Sequence, residues 1–345
     1  MTSANASTYA YVGNSDSQDV TVFNLLIDGE LDLIETVPVP GPGKPGGSLP
    51  LAVSPEKNFL FAAVRNDPFS LVTFGIDAGN GKLTLVGSGP LADSMCYITT
   101  DRGGRFILGA SYGGSKITLS PLGADGVVGE TAQIVATQPS AHCVIVDPSN
   151  RYVFNTSLGG DVVHQHVFDA STGTLSANSP ATVAVKAKGG PRHLEFSPDR
   201  RFVYLLNELD AAIYVFPYDS FTGTLGKEIQ IVGAVPEGFS GTPWGADIHL
   251  TPDGKFLYAS ERTSSTLAAF IVDRPSGALT PAGSYPTEQQ PRGFAIDPAG
   301  KYLLAAGQLS NSLTVYSIDQ QSGALSALRQ YPTGKNPNWI EIVTL

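Results

Sequence analysis

A sequence unit that recurs seven times constrains the fold of this chain more than any other feature. The clearest copy, SPDRRFVYLLNELDAAIYVFPYDSFTGTLG, begins at Ser197. Copies of the unit begin, in chain order, at Thr8, Ser54, Thr100, Asp147, Ser197, Thr251 and Asp297, the first without its leading turn. An aromatic residue starts the second apolar run of each copy, at Tyr9, Phe59, Phe106, Tyr152, Phe202, Phe256 and Tyr302. Their spacing of roughly 46 to 54 residues is typical of a four-stranded propeller blade.

Within each copy, short apolar runs alternate with turn sequences, and no helical periodicity extends over a useful length. In the last copy, GFAID is an inner strand, YLLAA a second strand after a PxGK turn, and LTVYSI a third strand. The first copy lacks its inner strand, which the C-terminal NWIEIVTL supplies. The sequence therefore predicts an all-β fold: a seven-bladed β-propeller of four-stranded blades, closed by N- and C-terminal strands that share one blade. We expect a single domain over residues 1–345.

Two positions of the repeat vary although the strands around them are constant. In a propeller, the loop before the inner strand and the loop after the second strand lie on one face, around the mouth of the channel. Six residues after the aromatic, the copies carry Ser15, Arg65, Tyr112, Leu158, Glu208, Arg262 and Gln308. Ten residues before it stand Leu49, Cys96, His142, Arg192, Ala246 and Arg292, with Asn338 at the matching place in the C-terminal strand. Variation on a constant scaffold predicts a functional site at this mouth.

The polar members of this set come from consecutive blades, so we expect them to converge on one arc of the mouth; they are His142, Arg192, Glu208, Arg262, Arg292 and Gln308. A loop arginine beside a glutamate is often only a solvated ion pair. Convergence of several polar groups favours a pocket instead. Trp244 either walls this pocket or is a buried aromatic at a blade edge. Asp247 and His249 alternate along one inner strand and are mainly hydrogen-bonding core residues, with Asp247 also a candidate substrate contact.

Composition and charge exclude several classes of function. The formal net charge of −10 argues against a nucleic-acid partner, which requires a basic face. No stretch is apolar enough to span a bilayer, and the N-terminus has no apolar run of signal-peptide length, so we expect a cytoplasmic protein without membrane contacts. Cys96 and Cys143 are the only cysteines and lie in unrelated settings, which predicts neither a disulfide nor a zinc site.

The segments GGPRHLEFSPDRRFVYLLNELD, GTPWGADIHLTPDGKFLYASERT and QQPRGFAIDPAGKYLLAAGQ resemble the bacterial seven-bladed propeller 6-phosphogluconolactonase family, which includes fungal carboxy-cis,cis-muconate cyclases. The likeness covers essentially the whole chain and is strongest from about residue 191 to 308. It implies a catalytic site at His142, Arg192, Glu208 and Arg262, the same four that the comparison of the repeats selects. Cys96 stands where bacterial relatives commonly have a histidine, which bears on the lactone accepted more than on the chemistry.

The resemblance implies a lactonase that hydrolyses an anionic sugar lactone, first of all 6-phosphogluconolactone to 6-phosphogluconate in the pentose phosphate pathway. Water attack on the ester carbonyl needs a base, for which Glu208 and His142 both remain candidates. Arg192 and Arg262 would stabilise the oxyanion. Arg65 and Arg292 are candidate phosphate anchors, and Gln308 a candidate hydroxyl-binding group.

Chemistry of this kind requires neither a covalent nucleophile nor a cofactor, and we expect no metal. A calcium ion held by Asn155, Asn207, Glu208 and Asp247 is less attractive beside two arginines. Three alternatives stay open: a lactonase for an unphosphorylated sugar lactone, a carboxy-muconate cycloisomerase, and, from another class, a propeller scaffold that binds proteins. We expect a monomer or a weak homodimer.

Overall fold

A computed structural model describes residues 6–42 and 47–345, which form seven antiparallel sheets arranged as the blades of a ring. Blade 1 contains β1 (Thr8–Asn14), β2 (Asp19–Leu25), β3 (Leu31–Pro38) and the last strand of the chain, β29 (Pro337–Thr344). Blade 2 contains β4 (Leu51–Val53), β5 (Phe59–Val64), β6 (Ser70–Ile76) and β7 (Leu83–Pro90). Blade 3 contains β8 (Met95–Thr100), β9 (Phe106–Ser111), β10 (Lys116–Pro121) and β11 (Gln133–Ala136).

The second half of the ring continues in the same order. Blade 4 contains β12 (Ala141–Val146), β13 (Tyr152–Ser157), β14 (Val162–Asp169) and β15 (Thr174–Ala184). Blade 5 contains β16 (Pro191–Phe196), β17 (Phe202–Asn207), β18 (Ala212–Asp219), β19 (Thr224–Leu225) and β20 (Gln230–Gly233). Blade 6 contains β21 (Gly245–Leu250), β22 (Phe256–Glu261), β23 (Thr266–Val272) and β24 (Leu279–Pro286). Blade 7 contains β25 (Pro291–Ile296), β26 (Tyr302–Gly307), β27 (Ser312–Ile318) and β28 (Leu325–Pro332).

The predicted seven-bladed fold is confirmed, including its closure. β29 pairs with β1 in an antiparallel register that sets Tyr11 opposite Glu341, so both termini build blade 1. Blade 5 departs from four strands because its outer strand is split in two. The gap lies beside Pro217 of β18, whose missing N–H cannot donate to an outer strand. In the described part of the chain no helix is long and apolar enough to cross a membrane.

Contacts between an aromatic ring and a glycine join neighbouring blades and account for the repeated aromatic. Each glycine lies in the turn before the outer strand of the next blade and has a φ between 68° and 86°. The pairs are Tyr9 with Gly81, Phe59 with Gly126, Phe106 with Gly173, Tyr152 with Gly223, Phe202 with Gly277, Phe256 with Gly323, and Tyr302 with Gly29. The last pair closes the ring between blades 7 and 1.

Replacing Gly223 by alanine is expected to destabilise the propeller. A Cβ at this residue would lie 2.1 Å from the Tyr152 ring, and its φ of +68° strains any L side chain. We expect the free energy of unfolding to fall by about 3 kcal/mol, the sum of backbone strain and overpacking. Gly238 is the matched control, because its φ is +75° but nothing lies near its Cβ position. Gly238→Ala should cost only about 1 kcal/mol. Equal shifts of the two denaturation midpoints would show that the contact between Gly223 and the aromatic ring of Tyr152 does not contribute to stability.

Candidate active site

A β-bulge at the start of the inner strand aims side chains at the channel mouth. In β8, β16 and β25 the ladder skips one residue, which is Cys96, Arg192 and Arg292, respectively. The same irregularity includes His142 in β12, Ala246 in β21 and Asn338 in β29. A bulged residue leaves the regular alternation of the strand and turns its side chain in a new direction. The bulge thus explains why the residues ten positions before the repeated aromatic collect at one place.

A cavity of about 220 Å³ lies at this mouth. Its lining residues come from the two variable positions of the repeat and the loop before β21: Arg65, Cys96, Tyr112, His142, Glu208, Trp244, Arg262 and Arg292. Three of them are arginines, and Glu208 is the only carboxylate among the described residues that line the cavity. The cavity therefore carries positive charge within a chain whose formal net charge is −10. Such local focusing favours an anionic ligand.

Two arginines contact the same carboxylate oxygen of Glu208. Its Oε2 accepts from Arg192 Nε at 2.8 Å and lies 3.0 Å from Arg262 Nη2. Its Oε1 accepts from the indole N–H of Trp244 at 3.3 Å. Burial favours the neutral acid, but Arg192 and Arg262 outweigh it and hold the pKa of Glu208 below its ordinary value. Glu208 is therefore an anchored carboxylate that keeps its charge at neutral pH.

Arg262 lies between the carboxylate and the aromatic wall. Its guanidinium carbon stands 3.8 Å from the centre of the Trp244 ring. Nη2 also donates to the carbonyl of Gly245 at 2.9 Å, and Nε to that of Trp244 at 3.3 Å. Nη1 has no partner in residues 6–42 or 47–345, which leaves one donor edge for a ligand. Burial, together with Arg192, lowers the pKa of Arg262 to about 8.

His142 is buried, and neither nitrogen of its imidazole forms a hydrogen bond with the described residues. The residue is 5% exposed, and its Nδ1 is fully buried without a hydrogen-bond partner among the described residues. The same set provides no hydrogen bond for Nε2, which is the nitrogen left to face the cavity. Burial and the nearby Arg192 hold the pKa of His142 well below 6.5. The imidazole is therefore neutral at pH 7.

Comparison with known proteins identifies the family of this chain. The sequence model of the family described as "Lactonase, 7-bladed beta-propeller" matches residues 4–342. The chain belongs to this family. It is 42% identical to a 6-phosphogluconolactonase of Pectobacterium carotovorum subsp. carotovorum over 287 residues, 83% of this chain and 84% of the relative. A 6-phosphogluconolactonase of Yersinia pseudotuberculosis is 40% identical over 83% of each chain. The periplasmic gluconolactonase of Pseudomonas aeruginosa superposes with a TM-score of 0.89 at 27% identity, covering 98% and 99% of the two chains.

Within this lactonase fold, six of the nine predicted site residues line the cavity: His142, Glu208, Arg262, Arg65, Arg292 and Trp244. Arg192 lies directly behind the cavity rather than in its wall. It is only 1% exposed; its Nε donates to Glu208 and its Nη1 lies against His193 and the carbonyl of Ala246, whereas its Nη2 has no hydrogen-bond partner among the described residues. Arg192 thus holds Glu208, and its contact with an oxyanion stays a prediction.

Two predicted substrate contacts lie elsewhere. Asp247 lies within the bulge in β21 and faces a second cavity, deeper in the channel, with His193 and His249. Its placement there fits its other interpretation, as a hydrogen-bonding core residue. Gln308 is outside the cavity because both ends of its amide are engaged. Its Oε1 accepts from Gln290 at 3.2 Å, and its Nε2 donates to Asn336 at 2.8 Å. Gln308 thus links blade 7 to the loop before β29.

Sequence reasoning did not select Cys96 or Tyr112, which line the cavity from two variable positions of blade 3. The Cys96 thiol lies 3.3 Å from the carbonyl of His142, and burial raises its pKa. It is therefore a neutral packing group and not a nucleophile. Tyr112 is 40% exposed and lies edge-on to His142 with ring centres 6.0 Å apart. The described residues contain no group of three or more histidine, cysteine or acidic side chains placed to bind a metal.

Proposed function

We propose that this protein hydrolyses 6-phosphogluconolactone to 6-phosphogluconate in the cavity at the channel mouth. The observation that carries the proposal is the charge of this cavity. Arg65, Arg262 and Arg292 line it, Arg192 stands directly behind it, and Glu208 balances only one of the four cations. A phosphorylated lactone supplies the anion that such a site lacks. Relatives at 40% identity and above bear the name of this activity.

Arg65 and Arg292 are suited to bind the phosphate. Arg65 is fixed by Ser48 and Ser94, which accept from its Nη1 at 2.6 Å and its Nε at 3.1 Å. No hydrogen bond or ion pair within residues 6–42 and 47–345 occupies the guanidinium of Arg292. Burial and the neighbouring Arg192 and Arg65 lower the pKa of Arg292 to about 10. A bound phosphate relieves this repulsion and forms forked hydrogen bonds with both side chains.

In the proposed reaction, water attacks the lactone carbonyl and His142 Nε2 takes its proton. The carbonyl oxygen becomes an oxyanion, which the free Nη1 edge of Arg262 stabilises. The bond from the carbonyl carbon to the ring oxygen then breaks, and the imidazolium returns the proton to that oxygen. The product is the open-chain acid, which ionises to a carboxylate. Glu208 keeps Arg262 in place and offers its Oε1 to the attacking water or a sugar hydroxyl.

Replacing Arg292 by glutamine is expected to separate recognition of the phosphate from the hydrolysis itself. The variant loses a charge-assisted contact, so KM for 6-phosphogluconolactone should rise by about tenfold to a hundredfold. KM for unphosphorylated gluconolactone should change by no more than about threefold. Arg329→Gln, at an exposed arginine of blade 7, is the matched control. A similar loss for both substrates would contradict a phosphate role for Arg292.

The choice of lactone substrate distinguishes the alternatives. The Pseudomonas aeruginosa neighbour is named a gluconolactonase, without a phosphate. Faster decay of the phosphorylated lactone than of gluconolactone or galactonolactone would support the proposed substrate. Faster decay of only the unphosphorylated lactones would reject it, and acceleration of none would favour a cycloisomerase, whose muconate substrate also carries carboxylates. We place the activity in the cytoplasm, because phosphorylated sugars do not cross membranes unaided.

A further inference from the structure

A chain of hydrogen bonds and one ion pair runs from behind the active-site cavity down the channel. Arg192 Nη1 lies 3.0 Å from His193 Nε2, and His193 Nδ1 lies 2.7 Å from Asp247 Oδ1. Asp247 Oδ2 is 3.3 Å from His249 Nε2, and His249 Nδ1 is 2.8 Å from Glu195 Oε2. His193, Asp247, His249 and Glu195 line a second cavity of about 230 Å³. None of these four side chains lines the cavity at the mouth.

The partners of His193 determine which of its nitrogens carries the proton. A guanidinium has only donors, so the nitrogen that faces Arg192 must accept. An ionised carboxylate only accepts, so the nitrogen that faces Asp247 must donate. His193 is therefore a neutral imidazole with its proton on Nδ1. Burial, together with the adjacent Arg192, lowers its pKa to about 4, which agrees with a neutral ring at pH 7.

Asp247 is held in place from several sides. Besides His193 and His249, its carboxylate accepts from the backbone N–H of Ile248 at 3.1 Å and of Phe294 at 3.3 Å. Burial opposes its charge, but His249 and His193 hold its pKa well below the ordinary value. His249 in turn lies between two carboxylates, which raise its pKa well above 6.5 against the effect of burial. Asp247 is thus a fixed anion supported by a cationic His249.

We infer that His193 is a positioning residue, whose Nε2, fixed as an acceptor by Asp247, sets the guanidinium of Arg192 and through it the carboxylate of Glu208. Arg192 is 1% exposed and donates to Glu208, His193 and the Ala246 carbonyl, so a change at His193 reaches Glu208 through one rigid side chain. Displacement of a catalytic group by about 1 Å can cost on the order of a hundredfold in rate. The kinetic consequence rests on the proposed lactonase function, whereas the tautomer does not.

Two amide substitutions separate the two contacts of His193. Glutamine places its oxygen near the position of Nε2 and can still accept from Arg192, whereas asparagine places its amide near Nδ1 and keeps only the contact with Asp247. We expect kcat of His193→Gln to stay within about threefold of wild type, and kcat of His193→Asn to fall by about tenfold to a hundredfold. KM should change less than kcat in both. If His193→Asn matches or exceeds His193→Gln, the contact with Arg192 does not position the site.

The tautomer is measured on the wild-type protein without any substrate. With ¹⁵N-labelled histidine, the His193 ring, assigned by its absence from His193→Gln, should show a protonated Nδ1 and an unprotonated Nε2 at pH 7. A proton on Nε2, or on both nitrogens, would overturn the inference. If the wild type hydrolyses no lactone, the proposed function fails and this spectrum alone decides the state of His193.

Discussion

The Arg262→Ala variant is expected to hydrolyse 6-phosphogluconolactone with a kcat/KM lower than wild type by a factor on the order of a hundred or more. The substitution removes the free donor edge proposed for the oxyanion. It also removes one of the two cations that hold Glu208, and the guanidinium that lies 3.8 Å from the centre of the Trp244 ring. Loss of the oxyanion donor and displacement of Glu208 both raise the energy of the transition state, so kcat should fall along with kcat/KM. Initial rates on freshly made lactone, corrected for spontaneous opening, provide the measurement.

Two further variants test whether this loss is specific. Arg262→Lys keeps the charge but not the forked donors, and should fall between wild type and Arg262→Ala. Arg274→Ala removes an exposed arginine in the turn between β23 and β24 and should leave the rate unchanged. Denaturation midpoints of all three should confirm that the ring is intact. Near-normal turnover by Arg262→Ala would remove Arg262 from the reaction.

His142→Ala is expected to lower kcat by a factor on the order of a hundred to ten thousand, because it removes the proposed base. KM should change less, since Arg65 and Arg292 are the proposed phosphate ligands. His164→Asn is the matched control, because His164 lies in the same blade, outside the cavity, and bonds Ser157 at 3.0 Å. The control should stay within about threefold of wild type. A His142→Ala variant with nearly full kcat would show that the base lies elsewhere.

The pH dependence distinguishes His142 from Glu208 as the base. The proposed base, His142, acts in its neutral form, so the rate should fall as pH drops through its pKa, which lies well below 6.5 in the free protein. A bound phosphate offsets the surrounding arginines and raises this pKa. The acid limb of kcat should therefore lie at higher pH than that of kcat/KM, which reports the free enzyme. Both limbs should persist in Glu208→Gln, and their loss in that variant would identify Glu208 as the base.

Much of the fold was predictable because each blade repeats the same local chemistry. The aromatic at Phe256 and the glycine at Gly323 are visible in the sequence as repeated letters, and the structure shows that they are partners across a blade boundary. Closure through β29 followed from the missing inner strand of the first copy. The split outer strand of blade 5 was missed because its cause, Pro217, acts on a neighbouring strand and not within its own run.

The site was predictable as a set of positions but not as a set of orientations. The comparison of repeats placed Arg65, Glu208 and Arg292 at the mouth, and they line the cavity there. It could not show the bulge that contains both Ala246 and Asp247, so it did not exclude Asp247 from the mouth. Nor could it show that Nε and Nη1 of Arg192 are directed at protein partners, which depends on contacts within blade 5 and between blades 5 and 6.

The decay of 6-phosphogluconolactone, followed by ³¹P NMR with and without the protein, tests the proposed activity most directly. The lactone opens spontaneously, so the quantity of interest is the added first-order rate in the presence of catalytic amounts of protein. That rate should be proportional to the concentration of wild-type protein and should nearly vanish with His142→Ala and Arg262→Ala. Decay at the buffer rate with folded wild-type protein, or equal acceleration by both variants, would contradict hydrolysis in this cavity.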